Sequence, residues 1–370
     1  MKVRIALLAA SAVLSSLLLA GCGSGSSDGE TTASQIETTQ ADETESSAQE
    51  TSEAETSGSE TQEADVPSAE SANIRIGGLK GPTSMGLVQL MDRASRNETE
   101  NTYEFTMAGA ADELVGKIAT GDLDIALIPA NVASVLYSKT EGQVAVVDIN
   151  TLGVLYVVAS DDSISSISDL AGKTIYMTGK GTTPEYTVNY LLEENGLTSS
   201  DVDLQFKSEA TEVASLLKED SQAIGILPQP FATAACIQNP DLKQVIDLTE
   251  EWNRLNESTG SMLVTGVTLV RRAFLEEHEG AVGLFLKDHQ ESTSYTSSNP
   301  DEAAQLVADA GIVEKAAIAK EAMPRCNIVC ITGQEMKDAL SGYLEVLYAQ
   351  DAASVGGQLP GDDFYYTAQQ

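Results

Sequence analysis

The chain has 370 residues, a formal charge of −35 and two histidines, His278 and His289. That charge excludes nucleic acid as a partner, because gripping a phosphate backbone needs basic patches. Two histidines leave little material for His-based catalysis or a His-rich metal site, so the reading assigns no catalytic residue, no metal and no cofactor.

The first 22 residues read as an export signal. Lys2 and Arg4 form a positive start, and Ile5 to Leu19 form an apolar stretch interrupted by serines. Leu19-Ala20-Gly21-Cys22 resembles the bacterial lipoprotein lipobox at every position. The resemblance implies that Cys22 becomes the lipidated first residue, carrying palmitate-type acyl chains on a diacylglyceryl group. Two chains are what stable anchoring takes. The expected location is the extracytoplasmic face of the cell membrane, held by lipid; the competing reading is an ordinary signal peptide or short membrane anchor.

Residues 23–72 hold 13 Asp or Glu and no Lys or Arg. With Ile36 and Val66 as their only large aliphatics, they bury too little to offset ordering entropy. They read as a disordered acidic Ser/Thr/Glu tether spanning on the order of 40 Å.

From Asn73 the pattern alternates strands and helices. Ile74 and Ile76 flank Arg75 in a short strand that ends at Gly77-Gly78. Pro82 then stands where a first helical turn tolerates it, with the hydroxyls of Thr83 and Ser84 beside it. Such a turn points backbone N–H groups outward at a ligand. Tyr103 to Ala108 and Asp124 to Ile128 read as strands, the second ending before Asn131. Gln143 to Asn150 and Gly153 to Ser160 are two further β-rich runs. A second unit starts after Asp161-Asp162 with a short helical turn over Ser168 to Lys173 and the strand Thr174 to Met177. Gly179 through Tyr186 repeats the earlier chemistry: a glycine turn, the paired hydroxyls of Thr182 and Thr183, then Pro184 and Glu185. Ala223 to Leu227 breaks at Pro228-Gln229-Pro230, and Leu242 to Leu248 reads as an edge strand. Met262 to Arg271 is a β-rich return, and the remainder is helical. This alternation argues an α/β fold with mainly parallel sheets.

Lys80-Gly81-Pro82-Thr83, Gly121 through Ala126, Asp169-Leu170-Ala171-Gly172-Lys173 and Gly179 through Tyr186 carry a specific likeness. With the lipobox and tether, the chain resembles the extracytoplasmic solute-binding lipoproteins of ABC importers. Within that group it is similar to the nitrate/sulfonate/taurine and thiamine-pyrimidine-precursor binders of the type II periplasmic-binding fold. The resemblance implies two lobes, residues 73–157 with 265–370 and residues 158–264, joined by a two-crossover hinge near Val158 and Val264. It implies a ligand in the cleft between them, bound by Gly81, Pro82, Thr83 and Ser84 from one lobe and Thr182, Thr183 and Glu185 from the other. Asn131 and Gln229 follow strand ends and complete the ring. The competing reading of all nine is that they are caps and turns. The implied role is capture of a small acceptor-rich or heterocyclic solute by a monomer, and delivery to an ABC permease and its ATPase. Two alternatives remain: a solute-sensing lipoprotein without transport, and an enzyme like the pyrimidine synthases, whose clustered cysteine motif and histidine are not found here. Cys326 and Cys330 read equally as a disulfide or as free thiols.

Overall fold

The computed structural model describes residues 70–367. Cys22, the leader and nearly all of the tether lie outside the described residues. Strand β1 (Asn73–Leu79) forms where Ile74 and Ile76 alternate with Arg75 and bury completely. It pairs in parallel with β2 (Thr102–Ala108) and β3 (Ile125–Pro129). Two helices, α1 (Val88–Ser95) and α2 (Ala111–Thr120), make the crossovers that parallel pairing requires. After α3 (Ala130–Lys139), β4 (Val144–Leu152) is buried at every position but the last, as befits a strand covered on both faces.

The chain then changes sheet at Gly153–Val154. The second sheet is built from β5 (Leu155–Ala159), β6 (Thr174–Met177), β7 (Asp203–Phe206), β8 (Ile224–Pro228) and β9 (Lys243–Asp247). Its order is β7-β6-β8-β5-β9, which places β9 at an edge as its sequence suggests. Helices α4 (Thr183–Glu194), α5 (Ala210–Glu219), α6 (Phe231–Gln238) and α7 (Leu248–Asn256) flank it. The return strand β10 (Val264–Arg271) slots antiparallel between β3 and β4. Beyond it come α8 (Arg272–Glu277), α9 (Glu279–Ser298), α10 (Pro300–Asp309), α11 (Ala316–Ala322), β11 (Ile328–Ile331) and α12 (Gly333–Gln350). The first sheet is therefore ordered β11-β4-β10-β3-β1-β2.

This is the two-sheet α/β architecture expected, with one correction. Both sheets are mixed rather than mainly parallel. β10 runs against β3 and β4, and β5 runs against β8 and β9. These are the strands on which the chain enters each sheet from the other, and local periodicity carries no strand direction. The first change of sheet also falls earlier than Val158, which sits inside β5.

Two packing features hold the elements in place. Asp124 Oδ1 accepts from Arg75 at 2.7 Å and from Arg271 at 2.9 Å, tying together β1, the entry to β3 and the end of β10. Burial alone would raise the Asp124 carboxyl, but the bonds from Arg75 and Arg271 outweigh it and hold the group below its usual range. One hydrophobic cluster runs through both sheets, from Ile128, Val146 and Val267 to Ile175, Ile226 and Trp252. Helix α12 joins it through Tyr343, whose ring lies 5.5 Å from Trp252 on α7, which in turn lies 4.6 Å from Tyr190 on α4. Among the described residues no helix is long and apolar enough to cross a membrane.

Candidate functional site

In the first sheet β1, β2, β3 and β4 run the same way, so their carboxyl ends share one side, where open α/β sheets bind ligands. The turn after β1 leads into a 3-10 segment, Pro82–Leu87, in which Thr83 and Ser84 are buried. Thr83 packs toward β10: a Cβ added to Gly266 would stand 2.5 Å from Thr83 Cγ2 and from Asn150 Oδ1. Only glycine allows that approach. Ser84 Oγ, Asn150 Oδ1 and Thr151 Oγ1 are buried there without a hydrogen-bond partner among the described residues. Unpaired buried oxygens at one strand end are costly unless something else satisfies them.

The second turn resolves its polar groups locally. Thr182 Oγ1 donates to Gly179 O at 2.6 Å, and the Gly181 N–H donates to Glu185. Tyr186 OH donates to Asp351 at 2.9 Å; partial burial and then this carboxylate raise the phenol. Thr183 is half-buried at the first position of α4. Asn131, at the start of α3, donates to Ser354 O at 3.4 Å. Asn131 and the second turn thus both lean on residues 351–354. Gln229 is buried, donates to Gln244 at 2.8 Å, and leaves its own Oε1 unpaired.

A groove of about 620 Å³ opens between the two sheets' elements. Lys80 and Gly81 border it from the first sheet; Thr211, Ser215 and Lys218 on α5 and Pro230 and Phe231 at α6 border it from the second. Ile312, Val313, Glu314, Lys315 and Ile318, from the α10–α11 connection and α11, close a third side. Lys80, Lys218 and Lys315 form no ion pair among the described residues, in a chain where acids outnumber bases. The groove can therefore take a small solute whose charged end is anionic and whose body is apolar. A second hollow of about 390 Å³ is bordered by Arg93, Asp288 and Glu291 and touches no element of the second sheet.

Of the residues picked out by sequence, Gly81 lines the groove and Pro82 and Gln229 adjoin it in the chain. Thr83, Ser84, Thr182, Thr183, Glu185 and Asn131 do not line it. Sequence reasoning did not pick out Lys80, Lys218, Phe231 or Lys315 as site residues, and all four border the groove. The available signal was the scarcity of basic residues, 21 in all, which makes each one worth placing.

Residues 96–248 match the family described as ABC transporter, phosphonate, periplasmic substrate-binding protein. No curated protein matches the sequence. Among solved structures, an ABC transporter protein from Parabacteroides distasonis is 20% identical with a TM-score of 0.67, covering 80% of this chain and 99% of its own. The periplasmic aliphatic sulphonate binding protein of Escherichia coli is 14% identical with a TM-score of 0.62, covering 80% and 94%. The alkanesulfonate-binding protein of Xanthomonas axonopodis, bound to MOPS, is 13% identical with a TM-score of 0.53, covering 79% and 96%. These likenesses show the type II periplasmic-binding fold. The fold is thus shown for the described residues, and the matched segment, residues 96–248, is similar to a family of ABC-transporter substrate-binding proteins, the group the sequence resembles.

Proposed function

We propose that the chain captures a small anionic solute with an apolar body, of the phosphonate or sulfonate kind, in the groove between its sheets and delivers it to an ABC permease. The observation that carries this reading is the trio Lys80, Lys218 and Lys315, against the single acid Glu314, around a hollow of about 620 Å³ whose remaining lining is mostly apolar. Three cations drawn from both sheets and from α11's approach give an anion more partners than either sheet alone provides. The passages at Gly153–Val154 and just before Val264 serve as the hinge. Ligand then favours the closed arrangement by contacting both sides at once. The matched family and the sulfonate binders with this fold support a transport role rather than catalysis.

A calorimetric panel tests the ligand class. The chain from Gly23 onward is titrated with alkylphosphonates, alkanesulfonates, nitrate and an uncharged pyrimidine. Binding of a phosphonate or sulfonate, and none of the pyrimidine, is expected; the opposite order overturns the anionic reading. Anchoring is a separate part of the proposal: Cys22 holds the protein to the extracytoplasmic face by lipid. Cys22→Ser is expected to release the chain from the membrane fraction, and continued sedimentation with washed membranes contradicts the lipid anchor.

A further inference from the structure

The first sheet buries a polar cluster that solute capture does not use. Asp148 on β4 and His289 on α9 are both fully buried, with Asp148 Oδ2 3.1 Å from His289 Nδ1. Thr268, its neighbour on β10, donates to Asp148 Oδ1 at 2.8 Å, leaving Oδ2 turned toward the imidazole. Cys330 on β11 completes the group, and one ligand atom from each of Asp148, His289 and Cys330 lies within 4.8 Å of the others. On its far side, His289 Nε2 is buried and unpartnered, as is Thr293 Oγ1 one turn along α9. Both border the gap left by Gly86, where an added Cβ would come 3.4 Å from Nε2 and 2.8 Å from Thr293 Oγ1.

We propose that Asp148, His289 and Cys330 form a binding site for a borderline-soft divalent metal ion, of which Zn²⁺ is the type. A carboxylate, an imidazole and a thiolate suit such an ion and not Mg²⁺ or Ca²⁺, which take oxygen ligands. The geometry is close to what is needed. A tetrahedral site with bonds of about 2.0–2.2 Å has ligand-to-ligand edges of roughly 3.3–3.5 Å, near the observed carboxylate–imidazole spacing. A thiolate bond of about 2.3 Å calls for edges of roughly 3.6 Å. Cys330 Sγ lies within 4.8 Å of the other two ligand atoms, so it closes by no more than about 1.2 Å. Outside the ligands, the Thr268 hydroxyl already orients the carboxylate, and Thr293 stands beside the ring nitrogen that a metal-bound histidine turns outward. On binding, Cys330 releases its thiol proton to solvent, and the site becomes neutral with Asp148 and the ion's two charges. A divalent cation supplies the counter-charge that a buried thiolate needs. The ion clamps β11 and α9 to β4, stiffening the first sheet from behind.

The probe is Co²⁺ alone, then Zn²⁺, added to the chain from Gly23 onward, which lacks the competing Cys22. The metal-stripped protein is refolded with one equivalent of Co²⁺. A thiolate-to-cobalt absorption band, one ion per chain after dialysis, and displacement by Zn²⁺ are expected. Cys330→Ser is expected to abolish the band and weaken Zn²⁺ retention at least tenfold with the circular dichroism unchanged, while Cys236→Ser and Cys326→Ser keep it. His289→Gln is expected to lower affinity similarly. Absence of the band in wild-type protein, or its persistence in Cys330→Ser, overturns the site. No solute enters this experiment, so its result is independent of the transport reading.

Discussion

The two glycine turns, Gly77 through Ser84 and Gly179 through Glu185, look like copies of one device in sequence and have different surroundings in the fold. The first ends a strand that lies between β2 and β3, and its hydroxyls are buried against β10 and β4 with Ser84 Oγ unpaired. The second follows β6, stands more open, and meets its own needs through Thr182 with Gly179 and Glu185 with Gly181. A hydroxyl beside a helix start says that a hydrogen bond is available; the neighbours decide whether it has already been used. By that measure the first turn keeps a buried oxygen without a partner at Ser84, and the second mainly starts α4, which holds Tyr190 against Trp252 and, through it, Tyr343 of α12.

The largest effect expected is on the structural side of this contrast. Trp252 is fully buried beneath α4, and Trp252→Ala removes the ring that links α4, α7 and α12. Denaturant unfolding is expected to show a loss of about 3–5 kcal/mol, typical of a large aromatic deleted from a core. A loss under about 1 kcal/mol means that α12 and the second sheet are not held through this contact.

Next comes the contrast between the hydroxyls. Thr83→Val keeps the methyl contact near Gly266 and removes the hydroxyl. Thr83 does not border the groove itself, so a solute seated beside Gly81 meets this hydroxyl only by reaching into the turn. Loss of that bond is expected to weaken binding by roughly two- to ten-fold, the equivalent of one neutral hydrogen bond. Thr182→Ala is expected to change affinity less than threefold and stability by no more than about 1 kcal/mol, because its partner is a carbonyl in its own turn. Equal effects on affinity from both variants erase the distinction drawn here.

Acid titration probes the clamp at the entry to β3, toward the amino end of β1. Arg75 and Arg271 outweigh burial and hold the Asp124 carboxyl below the usual carboxylate range in the folded state. A depressed folded pKa gives stability that is present above the unfolded value and lost as pH falls through the folded one. Stability is therefore expected to be flat near neutrality and to drop below about pH 4, with Asp124→Asn removing part of that dependence. A midpoint unchanged by Asp124→Asn at low and neutral pH argues against the clamp.

Much of the fold is legible in the sequence because strand and helix periods are local. Thr174 to Met177 is read to the residue, and Phe231 to Ile237 to within one. What escapes is set by distant pairing. The antiparallel entry of β10 between β3 and β4 is a long-range choice, so the mixed sheets could not be read from alternation. Helix α7 follows directly on the edge strand, hiding its start at Leu248. The short strand β11 hides behind Pro324, although Ile328-Val329-Cys330-Ile331 carries a β-rich signature. The groove itself gathers Lys80, Lys218 and Lys315 from three separate segments, and no spacing rule links them.

The central claim is that both sheets hold one anionic solute in a shared groove, and Lys80→Ala with Lys218→Ala tests it most directly. Calorimetry with the best phosphonate or sulfonate of the panel is expected to show each variant weakened by roughly ten- to a hundred-fold, in line with about 1.5–3 kcal/mol for a hydrogen bond to a charged group. Unchanged affinity in either variant, with the fold intact, contradicts a site formed jointly between the sheets.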